Sequence, residues 1–138
     1  MIIADTGFWL ALASRTDKHH HAALRAMSGL REGLVTTWPV LTETCHLLLN
    51  RLGVKAQLSF LQGIRNGACG VFQVGEGHLP RIEELMEHYA DLPMDLADAS
   101  LVVLAEELGS GRIFSTDARD FHTYRWKSRR PFRNLLLP

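Results

Sequence analysis

The chain has 138 residues, with 15 basic and 15 acidic side chains and a formal net charge of zero at neutral pH. This length and a hydrophobic content of 46% predict one soluble globular domain, residues 1–138, with a sizeable core. The balanced charge excludes any argument for a nucleic-acid or membrane partner from net charge alone. No apolar run approaches membrane-spanning length, so we expect no membrane association.

Cys45 and Cys69 are the only cysteines, so the chain has no CxxC motif and no second cysteine pair. This usage predicts reduced, mostly buried thiols. Because the N-terminus also lacks a basic leader and a long apolar stretch, we expect a cytoplasmic protein.

Charge is distributed unevenly along the chain. Between Ile82 and Gly111 there are eight acidic residues and no Lys or Arg, whereas cations predominate from Arg112 onward. A basic tail beside an acidic centre suits a nuclease, because cations hold phosphates and anions hold metal. Two solvated surfaces of opposite sign explain the same pattern, and on charge alone they are the better explanation.

The first half of the chain alternates strands with helices. The predicted elements are a strand over residues 1–5, helices over 8–13 and 19–31, a strand over 34–37 and a helix over 39–52. Thr6 and Asp17 are the predicted caps of the first two helices. Pro39 suits the first turn of the third helix, and Gly53 is its predicted stop.

The second half continues the alternation. Its predicted elements are helices over residues 55–66, 79–89 and 95–108, strands over 71–74 and 112–116, and a last strand over 134–137. The strand that begins at residue 112 delivers Asp117 at its end. Asp95, followed three residues later by Asp98, resembles a capping box, which is a structural explanation for both acids.

This alternation predicts right-handed crossovers and a three-layer α/β/α domain with a central, mostly parallel sheet of four to five strands. In such a sheet the C-terminal ends of the strands and the N-terminal ends of the following helices share one edge. Asp5 and Asp117 end strands, and Glu43 and Asp98 lie near the starts of helices. Periodicity alone makes Glu43 an ordinary solvated acid, so its position after a strand is what marks it.

Four carboxylates at one edge require a counter-charge. Two unit charges about 4 Å apart repel by about 4 kcal/mol at an effective dielectric of about 20, so the cluster binds a cation or takes up protons. Oxygen ligands alone favour Mg²⁺ or Mn²⁺, and no set of Cys and His residues indicates zinc. A hard dication held by carboxylates activates water and stabilises a pentavalent phosphate, which is the chemistry of phosphodiester hydrolysis.

Four segments carry these acids: Asp5-Thr6, Leu41-Thr42-Glu43, Leu96-Ala97-Asp98-Ala99-Ser100 and Ser115-Thr116-Asp117-Ala118-Arg119-Asp120-Phe121. Together they resemble a PIN domain, and more narrowly the VapC type of bacterial toxin. The resemblance spans almost the whole chain, and the ordered set is far more specific than any single motif. It implies a Mg²⁺- or Mn²⁺-dependent endoribonuclease that cuts tRNA or another structured RNA as the toxin of a toxin–antitoxin pair.

The resemblance implies a role for each acid. Asp5, Asp98 and Asp117 would hold metal directly or through water, and Glu43 would complete the acidic pocket and help to orient the attacking water. The residues implied to support these acids or to touch substrate are Thr6, Ser115, Thr116, Arg119 and Asp120.

The chain departs from the family pattern at two positions. Ser115 stands where the family often has Thr, and both residues offer a hydroxyl. Gly7 replaces a small hydroxyl residue common two positions after the first acid, so one polar contact to metal-bound water or substrate is expected to be missing. Of the remaining acids, Asp95 is expected to cap a helix, and Asp120 to lie on the surface or behind the metal ligands.

The resemblance also implies a homodimer and a cognate antitoxin that covers the groove and blocks the acidic site. The helix at Phe8 and Trp9 and the Leu-rich helix after Glu43 are candidate interfaces, although an ordinary core explains them equally well. The candidates for phosphate contact are Arg119, Arg125, Lys127, Arg129 and Arg130.

Three alternatives remain at this stage. The first is a PIN domain retained as an RNA-binding or regulatory module with little catalysis, which undetectable metal binding would support. The second is a phosphatase with a nucleophilic acid after strand one, but such enzymes usually have a second acid where this chain has Gly7. The third is a purely structural module, which leaves the four carboxylates unexplained unless they lie apart in space.

Overall fold

Five parallel strands form the central sheet of the computed structural model, which describes residues 1–138. The strands of the sheet are β1 (Ile2–Ala4), β2 (Leu34–Thr37), β3 (Gly70–Phe72), β4 (Arg112–Phe114) and β7 (Arg133–Asn134), and a separate antiparallel hairpin contains β5 (Arg125–Trp126) and β6 (Arg130–Pro131). Across the sheet the order is β3-β2-β1-β4-β7, and all neighbouring strands are parallel. The predicted parallel α/β architecture is confirmed.

Seven helices connect the strands. They are α1 (Thr6–Ala13), α2 (His20–Ser28), α3 (Trp38–Leu52), α4 (Val54–Arg65), α5 (Leu79–His88), α6 (Leu96–Leu108) and α7 (Ala118–Thr123), with a 3₁₀ turn at Glu76–His78 before α5. None of the helices has both the length and the apolar character needed to cross a membrane.

The strand order reverses direction at β1. From β1 the chain moves outward through β2 to β3, and then returns to β4 on the other side of β1. Right-handed crossovers in the two directions place helices on both faces of the sheet, and they leave a crevice beyond the carboxyl ends of β1 and β4. The residues that follow β1 and β4 therefore lie at the position where open α/β sheets bind ligands.

Some predicted element bounds are wrong. The cap of α1 is Asp5 rather than Thr6, because the Asp5 carboxylate accepts the Thr6 backbone N–H. The strand β4 ends at Phe114, before the predicted limit of residue 116, and the last strand is Arg133–Asn134 rather than residues 134–137. The α7 helix and the β5–β6 hairpin were not predicted, because both are too short to show a periodic pattern.

The core contains 29 buried residues centred on β1, α1 and α6. Phe8 and Trp9 are 0% and 5% exposed, so these two side chains belong to the core, as their explanation by an ordinary core predicts. Leu41, Leu48 and Leu52 form one apolar stripe along α3 at helical spacing, and Leu41 and Leu48 are buried, but Leu52 is 45% exposed. The stripe of α3 therefore leaves the core before the helix ends.

Candidate active site

Asp5 is the first residue beyond β1. Its Oδ1 accepts the backbone N–H of Thr6 at 2.7 Å, and its Oδ2 accepts the hydroxyl of Ser115 at 2.8 Å. Burial raises the pKa of Asp5 to about 6, against the effect of these two hydrogen bonds, and the charges of Glu43 and Asp117 raise it further. The two hydrogen bonds therefore fix the orientation of the Asp5 carboxyl, but they do not offset the cost of burying its negative charge.

Asp98 lies in the first turn of α6. Its backbone N–H donates to Oδ1 of Asp95 at 2.8 Å, so Asp95 caps the helix as predicted. The hydroxyl of Tyr124 donates to Oδ2 of Asp98 at 3.0 Å. Burial, followed by the charges of Asp95 and Asp5, raises the pKa of Asp98 to about 8, although the Tyr124 hydrogen bond favours the charged form.

Asp117 precedes α7 and caps it, since its Oδ1 accepts the backbone N–H of Asp120 at 3.2 Å. Its own backbone N–H donates to the Ser115 hydroxyl at 2.9 Å. Because that hydroxyl also donates to Asp5, Ser115 links the chain segments that follow β1 and β4. Burial raises the pKa of Asp117, and the Asp120 carboxyl raises it further.

Asp120 is 8% exposed, so its predicted surface location is wrong and the alternative position behind Asp117 is the observed one. The Arg119 Nε donates to Oδ1 of Asp120 at 3.2 Å, and 78% of the Arg119 side chain is exposed. The Arg119–Asp120 pair therefore lies at the outer side of the Asp117 turn.

Glu43 lies near the start of α3 and is half-buried. Burial and then the charge of Asp95 raise its pKa, whereas the nearby Thr6 hydroxyl lowers it. The Thr6 hydroxyl is buried and lies close enough to Glu43 to favour its ionised form, but no hydrogen bond of ordinary length and angle joins it to another group of the chain. A buried hydroxyl without a protein partner, beside a carboxylate, marks a position for water or a ligand.

The structure brings the four predicted acids together. Asp5 raises the pKa of Asp98, and Glu43 and Asp117 raise that of Asp5, so the carboxylates lie within range of one another's charge. No three His, Cys, Asp or Glu side chains form a ready-made ion-binding group. Mg²⁺ keeps several of its waters when it binds to proteins, so it does not require three protein ligands in direct contact. The all-oxygen donor set, the raised pKa values and the unpartnered Thr6 hydroxyl fit a hard divalent cation.

A groove of about 830 Å³ runs beside the acids. Glu43 and Asp95 lie on its wall, and His46 also lines it. The apolar part of its lining includes Trp38, Val74, Leu79, Ile82 and Leu96. The side chain of Trp38 is 49% exposed, so an aromatic surface lies open beside the candidate site.

The predicted phosphate-contacting cations are not equivalent in the structure. The guanidinium of Arg125 donates to the carbonyls of His122, Thr123 and Tyr124, so it holds the end of α7. Of the five predicted cations, those that are exposed and form no salt bridge are Lys127, Arg129 and Arg130, all on the β5–β6 hairpin. We call these three residues the basic hairpin.

Sequence reasoning missed two residues that support the acids. Tyr124 is fully buried and reaches Asp98 across 26 positions of sequence. Asn134 of β7 donates from Nδ2 to the Ser115 carbonyl at 2.9 Å and so fixes the segment after β4. Neither residue belongs to a spacing pattern, so only the packing of the sheet edge reveals them.

Comparison with known proteins agrees with this geometry. Ribonuclease VapC26 of Mycobacterium tuberculosis (strain ATCC 25618 / H37Rv) is 28% identical over 124 residues, which cover 90% of this chain and 92% of that protein. The crystal structure of Mycobacterium tuberculosis VapC20, a Sarcin-Ricin loop cleaving toxin, has the same fold, with a TM-score of 0.79, 24% identity and coverage of 86% of this chain and 92% of that chain. The PIN domain model matches residues 2–127. Because that match spans almost the whole chain, the protein belongs to the PIN domain family.

Proposed function

We propose that this chain is a metal-dependent endoribonuclease and the toxin of a toxin–antitoxin pair. The observation that carries the proposal is the meeting of Asp5, Glu43, Asp98 and Asp117, from four separate segments, at the crevice where the strand order reverses. The relative named ribonuclease VapC26 supports RNA as the substrate.

In the proposed reaction Asp5, Asp98 and Asp117 would hold Mg²⁺ or Mn²⁺, directly or through water. The ion supplies a Lewis acid and a nucleophilic water for hydrolysis of a phosphodiester bond. The Glu43 carboxylate accepts a hydrogen bond from the attacking water and orients it. Its raised pKa brings its proton affinity closer to that needed of a general base at neutral pH.

The basic hairpin supplies contacts to the RNA backbone. Arg130 and Lys127 lie over the Trp126 ring at 5.4 and 5.8 Å, which limits their freedom without neutralising their charge. The hairpin follows Tyr124 directly, so it begins beside Asp98. Phosphates held there would position a structured RNA, such as tRNA, across the acids.

The antitoxin is the second proposed partner. The groove beside the acids is apolar along one part of its lining and acidic at Glu43 and Asp95. An antitoxin segment with apolar and basic side chains complements both features and would block the site. We also propose a homodimer. The exposed apolar residues of α3 and α4 that support self-association are Leu49, Leu52, Val54, Leu58 and Leu61.

Cleavage of total cellular RNA by the purified protein tests the proposal. Discrete fragments should form with Mg²⁺ or Mn²⁺ and disappear with EDTA or in Asp98→Asn, and mapping their ends identifies the RNA. The absence of both cleavage and metal binding, the latter measured by calorimetry, contradicts the nuclease proposal and favours a regulatory RNA-binding module. Sedimentation of the protein alone tests the homodimer independently.

A further inference from the structure

At the candidate site the side chain of Thr116 occupies the space that a side chain on residue 7 would need. A Cβ built on Gly7 would overlap the hydroxyl oxygen of Thr116 and would lie 3.0 Å from its Cβ. Thr116 therefore adopts its observed position because residue 7 has no side chain. The missing side chain in the first turn of α1 is replaced in space by a hydroxyl from the segment after β4.

The surroundings of Thr116 differ from those of the preceding hydroxyl. Ser115 is fully buried and its hydroxyl both donates to Asp5 and accepts from Asp117. Thr116 is half-buried and its hydroxyl forms no hydrogen bond in the chain. The Ser115 hydroxyl fixes Asp5 and Asp117, whereas the Thr116 hydroxyl, which lies against Gly7 and directly precedes Asp117 in the chain, is available to a bound molecule.

We infer that the Thr116 hydroxyl contacts the RNA substrate by donating a hydrogen bond to a non-bridging oxygen of the phosphate at the acids. This inference rests on the proposed nuclease function. A hydroxyl therefore occupies the space beside Gly7, and it comes from Thr116 in the segment after β4 rather than from residue 7 itself. A neutral donor suits the position, because another acid would repel the phosphate and a cation would compete with the metal.

A valine at position 116 keeps the shape of the side chain and removes the hydroxyl. Loss of a hydrogen bond to a charged group lowers binding by about 10- to 100-fold, so Thr116→Val should reduce kcat/KM for RNA cleavage by that factor. Thr116→Ser keeps the hydroxyl and should retain cleavage within about threefold. Gly7→Ala should resemble Thr116→Val, because the new methyl group displaces the hydroxyl.

The decisive variant moves the hydroxyl back to α1. Thr116→Gly alone should lose cleavage, and cleavage by the double variant Gly7→Ser with Thr116→Gly should be at least about tenfold higher than that of Thr116→Gly, because glycine at position 116 removes the Cβ that a side chain on residue 7 would meet at 3.0 Å. Binding of bulk tRNA in the Asp98→Asn background, measured by filter retention, should follow the same order. The melting temperature of every variant shows whether a loss of cleavage comes from the missing hydrogen bond to RNA or from a destabilised fold.

The two proposals fail in different ways. If the wild type cleaves RNA and folded Thr116→Val cleaves within twofold of it, or if Thr116→Ser loses as much as Thr116→Val, only the Thr116 inference is overturned. A double variant that folds and stays as inactive as Thr116→Gly overturns it too. A wild type that neither cleaves total RNA nor binds tRNA overturns the proposed function and, with it, the role of Thr116.

Discussion

The hydroxyl of Tyr124 donates to the Oδ2 atom of Asp98 at 3.0 Å, so a fully buried ring ends on one of the four acids. The ring packs edge-on against Tyr89 and Phe121, with centroid distances of 5.0 and 5.2 Å. A core cluster of aromatic residues therefore fixes the orientation of a candidate metal ligand.

Tyr124→Phe removes this hydrogen bond and keeps the aromatic packing. Because the bond favours the charged form of Asp98, its loss should raise the pKa of that carboxyl and shift the acid limb of the pH–rate profile to higher pH. Cleavage at neutral pH should fall by about tenfold. Tyr89→Phe is the matched control, because the Tyr89 hydroxyl accepts the Arg125 backbone N–H and touches no acid. Equal pH–rate profiles for the two variants would contradict the prediction.

Asp98→Asn should abolish cleavage and stabilise the metal-free fold. Burial and neighbouring charges disfavour the ionised form of Asp98, so a neutral isostere removes a cost to stability that grows as pH rises above the ordinary pKa of 3.8 and is complete near and above pH about 8. Cleavage should fall by about 100-fold or more, because a ligand of the catalytic ion is lost. Chemical denaturation in EDTA measures the free energy of unfolding. Retained cleavage, or a folded state less stable than the wild type, would argue against this role.

Stability of the metal-free protein should decrease as pH rises from about 5 to about 8. The folded-state pKa values of Asp5 and Asp98 are about 6 and about 8, above their ordinary value of 3.8. Between the ordinary and the raised values the folded chain binds more protons than the unfolded chain, so the free energy of unfolding falls with rising pH. The lowered pKa of Glu32 acts in the opposite direction, but below its ordinary value of 4.5.

Thermal unfolding in EDTA at several pH values, compared with Asp98→Asn, isolates the contribution of the acids. Mn²⁺ should raise the melting temperature more at pH about 8 than at pH about 5, because protons and the ion compete for the carboxylates. A wild type and an Asp98→Asn variant with the same pH dependence would exclude the raised pKa of Asp98 as its source.

Arg129→Gln combined with Arg130→Gln should weaken RNA binding without changing the fold. Both side chains are exposed and form no salt bridge, so their loss costs little stability. Each lost phosphate contact should reduce the slope of log affinity against log salt by about one. Arg65→Gln is the control, because Arg65 ends the helix that leads into β3 and so lies toward the opposite edge of the sheet. Unchanged affinity and slope would exclude the basic hairpin as the RNA contact.

The parallel architecture was predictable because short strand-like runs at β1, β2 and β4 alternate with helical segments along the sequence. Asp5 and Asp117 were predictable for a related reason, since each follows such a run and parallel strands end at one edge. The cap at Asp95 followed from its spacing to Asp98. The exposure of Leu52 at the end of α3 was not predictable, because an apolar stripe on a helix does not show where the element packed against it ends.

By itself the sequence determined the order of strands and helices, and therefore which acids reach the carboxyl edge, because local hydrophobic periodicity encodes both. Only the tertiary structure decided what surrounds those acids. The contact of Tyr124 with Asp98 and the overlap of Thr116 with the space beside Gly7 join segments far apart in the chain. Such contacts depend on the distances between packed elements, and residue spacing along one segment carries no information about them.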